Sequence, residues 1–201
     1  QGVSSAASDV YKRQVQNAMT QGIIARNARA LYPAAWLEMS PITLRPRFNP
    51  NATEPDVDWS NTPLPSHVDA RQCQPIAAAW TILSLKAIAE SACIDEVTYF
   101  RATGWEGLME RWQGSRQPAD FPSRPGDAYP VYEVLRAISD ASHAVPCVSS
   151  RPDLVDCLIL DTGRALIASQ SDEPQRVLLS GTSAIVPPYG FAIIDVPTGV
   201  E

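Results

Sequence analysis

The chain has 201 residues, of which 45% are hydrophobic and 19% are charged, as in ordinary globular domains and unlike disordered chains. Its formal net charge of -6 argues against a nucleic-acid partner, because phosphate binding needs clustered Lys and Arg. No apolar run approaches the ~20 residues that a membrane helix needs, which predicts a soluble protein without a membrane partner.

Residues 4–14 stand apart from the rest of the chain. Their sequence, Ser-Ser-Ala-Ala-Ser-Asp-Val-Tyr-Lys-Arg-Gln, looks like the in-frame translation of a transposase sequencing adapter. We therefore predict that residues 1–14 are artefactual, and we exclude them from fold reasoning. The gene-encoded protein is expected to begin near Val15, in mid-gene, with its true N-terminus upstream. We expect it to be cytoplasmic.

The cysteines and histidines offer little for metal or nucleophilic chemistry. No Cys-x-x-Cys motif occurs and no histidine lies near a cysteine at metal-ligand spacing, so we predict buried free thiols in a reducing compartment. No metal site and no cofactor are predicted. His67 and His143 are the only histidines, and each lies beside turn-forming residues, which leaves a Ser-His-Asp triad with little support.

Helix and strand patterns alternate over the first 142 residues. The apolar spacing predicts a helix over 15–31, a strand over 35–44, a helix from Asp69 with Asp69 as its N-cap, a strand over 97–103 and a helix over 131–141. Long polar loops, 45–70 and 104–126, follow the two strands. Alternation of this kind indicates parallel strands joined by right-handed crossovers, in either a doubly wound sheet or a (β/α)8 barrel. Barrel active sites are assembled where strands end, so the two loops are candidate site segments.

The pattern changes beyond residue 142, where short apolar runs alternate with turns such as Asp-Thr-Gly and Pro-Pro-Tyr-Gly. These runs predict antiparallel strands over 154–160, 164–169, 176–179 and 190–196. We place a domain boundary near residue 143. The chain is thus expected to be α/β over 15–142, followed by a small antiparallel β-sandwich-like domain over 143–201.

The first predicted strand ends in a proline-stiffened loop that carries Arg45, Arg47 and Asn49. Arginine forks and an Asn amide suit a polyol, a carboxylate or a lactone carbonyl, although solvated loop arginines fit equally well. Glu38 lies on the strand face opposite Met39 and is expected to point into the barrel. The preferred interpretation is a structural acid bonded to an arginine, with a surface residue or a catalytic acid as alternatives.

The second predicted strand carries Tyr99, Arg101 and Thr103 on one face and then turns at Gly-Trp-Glu-Gly. Tyr99 and Arg101 together suit the oxyanion that forms when an ester or lactone is hydrolysed. Trp105 is either a platform for a sugar or a cap on the barrel core. Glu106 is a candidate base, but an ion pair with an arginine is the preferred interpretation.

Four blocks carry a specific resemblance: Ser-Pro-Ile-Thr-Leu-Arg-Pro-Arg-Phe-Asn-Pro at 40–50, Ala-Ala-Trp-Thr-Ile-Leu-Ser-Leu-Lys-Ala-Ile-Ala-Glu at 78–90, Val-Thr-Tyr-Phe-Arg-Ala-Thr-Gly-Trp-Glu-Gly at 97–107 and Phe-Pro-Ser-Arg-Pro-Gly at 121–126. Together they resemble the D-apionate lactonase family. The resemblance implies a glycosidase-like TIM barrel, flanked by β domains, that hydrolyses D-apionolactone to D-apionate in apiose breakdown. It also implies that this chain is an incomplete fragment, with the last helix–strand units of the barrel and the C-terminal β domain, and that it is inactive alone.

Two departures from the family pattern bear on the site. Where this chain has Arg101 and Glu106, the resemblance implies Glu and Arg in many relatives, and an exchange of both charges fits a structural ion pair. Retaining glycosidases of related barrels place a nucleophilic Glu at the end of the seventh strand, where this chain reads Ile-Thr-Leu-Arg at 42–45.

The preferred hypothesis is therefore a metal-independent hydrolase of a small sugar lactone, whose general base comes from strands outside this chain. Its substrate-binding candidates are Arg45, Arg47, Asn49, Tyr99, Arg101, Thr103, Trp105 and Glu106. The alternatives are a glycoside hydrolase of the same barrel type and a non-catalytic carbohydrate-binding relative.

Overall fold

The fold follows from a computed structural model, which describes residues 15–46 and 64–197. Its helices are α1 (Thr20–Leu31), α2 (Pro75–Ser91) and α3 (Pro130–Ile138), and a short 3-10 helix spans Ala70–Cys73. The strands are β1 (Glu38–Ile42), β2 (Glu96–Tyr99), β3 (Arg101–Thr103), β4 (Gly107–Met109), β5 (Ala144–Val145), β6 (Val155–Leu160), β7 (Arg164–Ser169), β8 (Gln175–Leu179), β9 (Thr182–Val186) and β10 (Phe191–Asp195). None of the helices in these two ranges is both long enough and apolar enough to cross a membrane.

The α/β arrangement predicted for the N-terminal part is present. Strands β1 and β2 pair in parallel, with Met39 opposite Val97, and α2 lies between them in the chain. Met39 and Val97 pack against the hydrophobic core, as the two-residue alternation predicts.

Glu38, by contrast, is exposed. Its predicted position as a buried acid bonded to an arginine is wrong for this structure, because no element of the described chain covers the strand face that Glu38 shares with Ser40.

The predicted strand over 97–103 is broken at Phe100, which has φ of 55°. A residue with this left-handed backbone conformation interrupts the extended strand and its alternation of side chains, so β2 and β3 are separate strands. The prediction that Tyr99, Arg101 and Thr103 share one face is therefore wrong. Phe100 is only 7% exposed and packs beside Trp80, with ring centroids 6.5 Å apart, and this burial holds the break in place.

The start of the second helix also differs from the prediction. Asp69 caps the 3-10 helix, where its side chain accepts a hydrogen bond from the Arg71 N–H, and it does not cap α2. Helix α2 begins later, at Pro75, which suits the first helical turn because that position needs no N–H donor. Asp69 is therefore an N-cap, as predicted, but of the short 3-10 helix that precedes α2.

Helix α2 is apolar on nearly every side. It contacts α1 and α3, and it also contacts strands β6, β7 and β10 of the C-terminal sheet. Trp80, Leu83 and Leu166 belong to a single hydrophobic core, so the core extends across residue 143. The domain boundary near 143 stays a prediction.

A polar cluster also joins α2 to the C-terminal sheet. Lys86 is 5% exposed, pairs with Glu90 one turn away, lies 3.7 Å from the Asp156 carboxylate on β6, and donates to the Cys147 carbonyl at 3.2 Å. Burial acts to lower the pKa of Lys86, but the hydrogen bond to Glu90 and the charge of Asp156 outweigh it and raise the pKa. Lys86 is therefore held as a cation inside the structure.

The C-terminal residues form an antiparallel sheet, as predicted, with strand order β10-β7-β6-β5. Strands β8 and β9 form a separate antiparallel hairpin. The short strands β5 and β9 were not predicted. Strand β5 has two residues, and in β9 only Val186 is fully buried, so neither gives a strong sequence pattern. All four cysteines are free thiols, but only Cys157 is fully buried.

Candidate active site

A pocket of about 620 Å³ opens beside β3 and β4. Residues from 65–68 form one part of its wall, and residues from 101–106 and 110–116 form the rest. Its charged lining residues are Arg101, Glu106, Glu110, Arg111 and Arg116, and the lining also includes His67, Thr103 and Trp105.

The turn between β3 and β4 shapes the floor of this pocket. Gly104 has φ of +87°, a conformation that L side chains rarely adopt, so glycine suits the position. The Gly104 N–H donates to the Met109 carbonyl at 2.8 Å, and the Arg101 N–H donates to the Glu106 carbonyl at 2.9 Å. These backbone bonds fix the segment that carries Trp105 and Glu106.

Trp105 both packs on the core and lines the pocket. Its ring centroid lies 6.2 Å from that of Phe121, and its indole N–H donates to the Ser115 hydroxyl at 3.0 Å. The ring is thereby fixed in orientation, and the loop that carries Ser115 is tied to it. The two interpretations of Trp105, core cap and pocket wall, are compatible in this geometry.

Arg101 and Glu106 form the ion pair that the sequence suggested, with Nε and Oε2 3.4 Å apart. The Arg101 side chain is 56% exposed and that of Glu106 is 12% exposed. Solvent screens such a pair, so it contributes little to stability. Its effect is to hold the Arg101 side chain beside Glu106 at the pocket wall.

Glu110 is a buried carboxylate at the end of β4 and is only 3% exposed. It accepts hydrogen bonds from the Arg111 backbone N–H at 2.7 Å, from the Tyr129 hydroxyl at 3.1 Å and from the Ser123 hydroxyl. Burial raises the pKa of Tyr129, and the negative charge of Glu110 adds to the rise. Tyr129 therefore remains a neutral donor to Glu110.

Arg45 lies next to the pocket. It lines a narrow crevice together with Trp105 and Glu106, and its Nε is 3.3 Å from the Asp69 carboxylate. Asp69 is 4% exposed and also accepts from the Arg71 guanidinium at 2.8 and 2.6 Å. A buried carboxylate thus orients the two arginines.

The other predicted site residues are distributed unevenly. Arg101, Thr103, Trp105 and Glu106 all line the pocket. Tyr99 does not line it, because its hydroxyl lies 2.7 Å from that of Ser84 on α2. Arg47 and Asn49 lie outside the described residues. In the described part of the chain, no group of three or more His, Cys, Asp or Glu could hold a metal ion.

A comparison with protein-family models identifies residues 14–143 as the TIM barrel domain of a D-apionate lactonase. The match covers well over half of the chain. This chain belongs to the D-apionate lactonase family. No curated protein and no solved structure matches the sequence. Every residue that lines the pocket, from Pro65 to Arg116, lies inside the part matched to the lactonase barrel domain.

The pocket also contains Glu110, Arg111 and Arg116, which the sequence did not single out, and His67, which was considered only as a member of a catalytic triad. Glu110 could have been found only by recognising β4, and a strand of three residues gives no clear period. A signal for Arg111 and Arg116 was present, since both follow the strand region in the loop 104–126. That loop was identified as a candidate segment, but its arginines were not distinguished from solvated ones.

Proposed function

We propose that this chain supplies the substrate-binding part of an enzyme that hydrolyses D-apionolactone to D-apionate in apiose breakdown. The observation that carries the proposal is the position of the pocket, which lies wholly within the residues matched to the lactonase barrel domain. In this proposal β1 and β2 are late strands of a (β/α)8 barrel. Further strands of the barrel, and the general base, come from other parts of a longer polypeptide.

The reaction opens a cyclic ester. Water adds to the lactone carbonyl, a general base takes one of its protons, and the carbonyl oxygen becomes an oxyanion. Collapse of this intermediate breaks the bond to the ring oxygen, which takes up a proton and becomes a hydroxyl. The products are one carboxylate and one alcohol on the same molecule, and one proton is released to solvent.

The pocket residues have separate roles in this proposal. Arg101, directed by Glu106, stabilises the oxyanion, and Trp105 packs against the apolar face of the sugar ring. Thr103 offers a hydroxyl to the polyol, and Arg45 lies beside Trp105 in the adjoining crevice. Arg47 and Asn49, which follow β1 in the sequence, stay predicted substrate-binding residues.

Glycoside hydrolysis is the second candidate because two carboxylates, Glu106 and Glu110, line the same pocket. Against it, Glu106 is engaged with Arg101, and both oxygens of Glu110 already accept hydrogen bonds. A non-catalytic carbohydrate-binding relative would keep the pocket and lack both activities.

The test is an assay of the protein encoded by the complete gene, with D-apionolactone and with aryl glycosides as substrates. We expect lactone opening, measured as acid release at constant pH, and no release of the aryl group. In the variant W105A the KM for the lactone should rise about tenfold, as expected for the loss of one aromatic contact. W36A is the matched control, because Trp36 is 71% exposed and outside the pocket. Aryl glycoside cleavage without lactone opening would refute the proposal.

A further inference from the structure

Two arginines of the pocket have no acidic partner among the residues that the structure describes. Arg111 and Arg116 both line it, and neither forms an ion pair with any residue in 15–46 or 64–197. The neighbouring arginines differ in this respect, because Arg101 pairs with Glu106 and Arg45 pairs with Asp69. Within these ranges, no carboxylate neutralises the charges of Arg111 and Arg116.

The position of Arg111 is set by the turn after β3. A Cβ on Gly104 would lie 3.0 Å from Nε and 3.3 Å from Nη2 of Arg111, so the guanidinium group lies directly against this glycine. At the other end, the Arg111 backbone N–H is bonded to the Glu110 carboxylate at 2.7 Å. The backbone of Arg111 is thus fixed by Glu110, and its guanidinium group lies against Gly104.

The two carboxylates of the pocket do not cancel these charges. Glu106 is matched by Arg101, and the oxygens of Glu110 accept from Tyr129, Ser123 and a backbone N–H. With three arginines and two glutamates in the lining, the pocket carries an excess of positive charge. The whole chain carries a formal charge of -6, so this excess is a local feature that attracts anions into the pocket.

We propose that Arg111 and Arg116 form a subsite for the carboxylate of a small polyhydroxy acid, the group released when the lactone ring opens. This inference rests on the proposed function, since it assigns the charged end of the same pocket. Planar guanidinium groups match a planar carboxylate. Trp105 and Thr103 border the same space and suit the polyol part of such an acid. The enzyme would then hold its open-chain product more tightly than an uncharged polyol, and salt would weaken that hold.

The test measures binding of D-apionate to the folded 201-residue chain by titration calorimetry, in parallel with the uncharged alcohol of the same carbon skeleton. The wild-type chain should prefer D-apionate, and the preference should shrink as salt is raised. The double variant R111Q/R116Q should bind D-apionate at least about tenfold more weakly and bind the alcohol unchanged, because only a charge-assisted contact is lost.

The matched control is R26Q/R176Q, which removes the same charge from two exposed arginines outside the pocket and should bind D-apionate as the wild type does. Far-ultraviolet circular dichroism confirms that each variant is folded. The proposal is overturned if D-apionate does not bind, if it binds no better than the alcohol, or if the double variant and its control behave alike.

Two further outcomes separate this inference from the proposed function. Charge-dependent binding of D-apionate by the 201-residue chain, with no lactone opening by the protein encoded by the complete gene, would support the subsite and refute lactone hydrolysis. Lactone opening by the complete protein, with D-apionate binding unchanged in R111Q/R116Q, would support the proposed function and refute the subsite. Inorganic phosphate is included as a competitor. If phosphate displaces D-apionate at a concentration far below that of D-apionate, the subsite prefers phosphate, and the assignment to a carboxylate is overturned.

Discussion

The hydroxyl groups of Tyr99 and Ser84 lie 2.7 Å apart, so the tyrosine of β2 is bonded to helix α2 and not to the pocket. Burial raises the pKa of Tyr99, which remains neutral at physiological pH. We expect Y99F to lower the free energy of unfolding by about 1 kcal/mol, the value of one hydrogen bond. Under the proposed function, it should leave the KM for the lactone of the protein encoded by the complete gene unchanged.

The reciprocal variant S84A should be more damaging than Y99F. Without Ser84, the buried Tyr99 hydroxyl loses its partner, whereas a helix serine whose partner is lost can bond to the carbonyl one turn back. Urea unfolding of the two variants gives the comparison. An S84A variant as stable as the wild type would show that this hydrogen bond does not hold β2 to α2.

Asp69 is expected to stabilise the fold beside the pocket through its ion pairs with Arg45 and Arg71. In D69N the buried carboxylate loses its charge while Arg71 and Arg45 keep theirs, so the free energy of unfolding should fall by about 2 kcal/mol. D153N is the matched control, because the Arg151–Asp153 pair is exposed and should contribute nothing measurable. Chemical denaturation distinguishes the two. Equal stability of D69N and D153N would contradict a structural role for Asp69.

The Arg101–Glu106 pair should tolerate an exchange of its charges. Each single variant, R101E or E106R, places like charges side by side and, under the proposed function, should raise the KM for the lactone of the protein encoded by the complete gene. The double variant R101E/E106R restores an ion pair and keeps a cation in the pocket, so it should recover most of the loss. The coupling energy from a double-mutant cycle is the measurement. Additive effects of the two single changes would exclude an interaction between these residues.

Gly104 offers a test of how Arg111 is positioned. G104A should weaken D-apionate binding, because a methyl group there lies 3.0 Å from Arg111 Nε and shifts the guanidinium group by a few tenths of an ångström. G181A is the matched control, since Gly181 has φ of +83° and a methyl group at that position meets nothing within 4 Å. Both variants should lose about 1 kcal/mol of stability through the unfavourable φ, but only G104A should lose D-apionate affinity. Calorimetry and urea unfolding together separate the two effects.

Cys73 should be an unreactive thiol at neutral pH. Burial raises its pKa from 9.0 to about 11, and the nearby charge of Glu110 adds a smaller effect in the same direction. Because the thiolate is the reactive form, alkylation of Cys73 by iodoacetamide should rise with pH to a midpoint near 11 in the folded chain. In urea the midpoint should return to about 9.0.

The same shift gives a stability prediction with a definite sign. The folded state holds the Cys73 proton more tightly than the unfolded state does, so its contribution is complete below pH 9.0 and is lost as pH rises towards about 11. Mass spectrometry of the alkylated peptide measures the midpoint. A folded midpoint equal to that in urea would contradict the burial of this thiol.

Sequence patterns located the long elements well, because periodicity over many residues is a strong signal. The helix pattern over 131–141 corresponds to α3 at Pro130–Ile138, and the strand patterns over 154–160 and 164–169 correspond to β6 and β7. Short elements were not predicted, because β4 has three residues and β5 has two, too few to show a period. The left-handed backbone at Phe100 was also not predicted, because it depends on packing against Trp80, which is distant in sequence and leaves no local pattern.

The candidate site was predicted in outline. The loops after the two strands were identified as site segments, and Arg101, Thr103, Trp105 and Glu106 do line one pocket. The orientation of Tyr99 could not be predicted, because the strand is interrupted at Phe100 and Tyr99 no longer shares a face with Arg101. Whether these residues bind a substrate stays a prediction.

The burial of helix α2 on both sides has a consequence for how the sequence can change. Because α2 packs against elements from before and after residue 143, a larger residue in the C-terminal sheet would have to be accommodated by a smaller side chain on the helix face that it contacts. The residues matched to the lactonase barrel domain and the sheet that follows them are expected to vary together in sequence and to unfold in one transition.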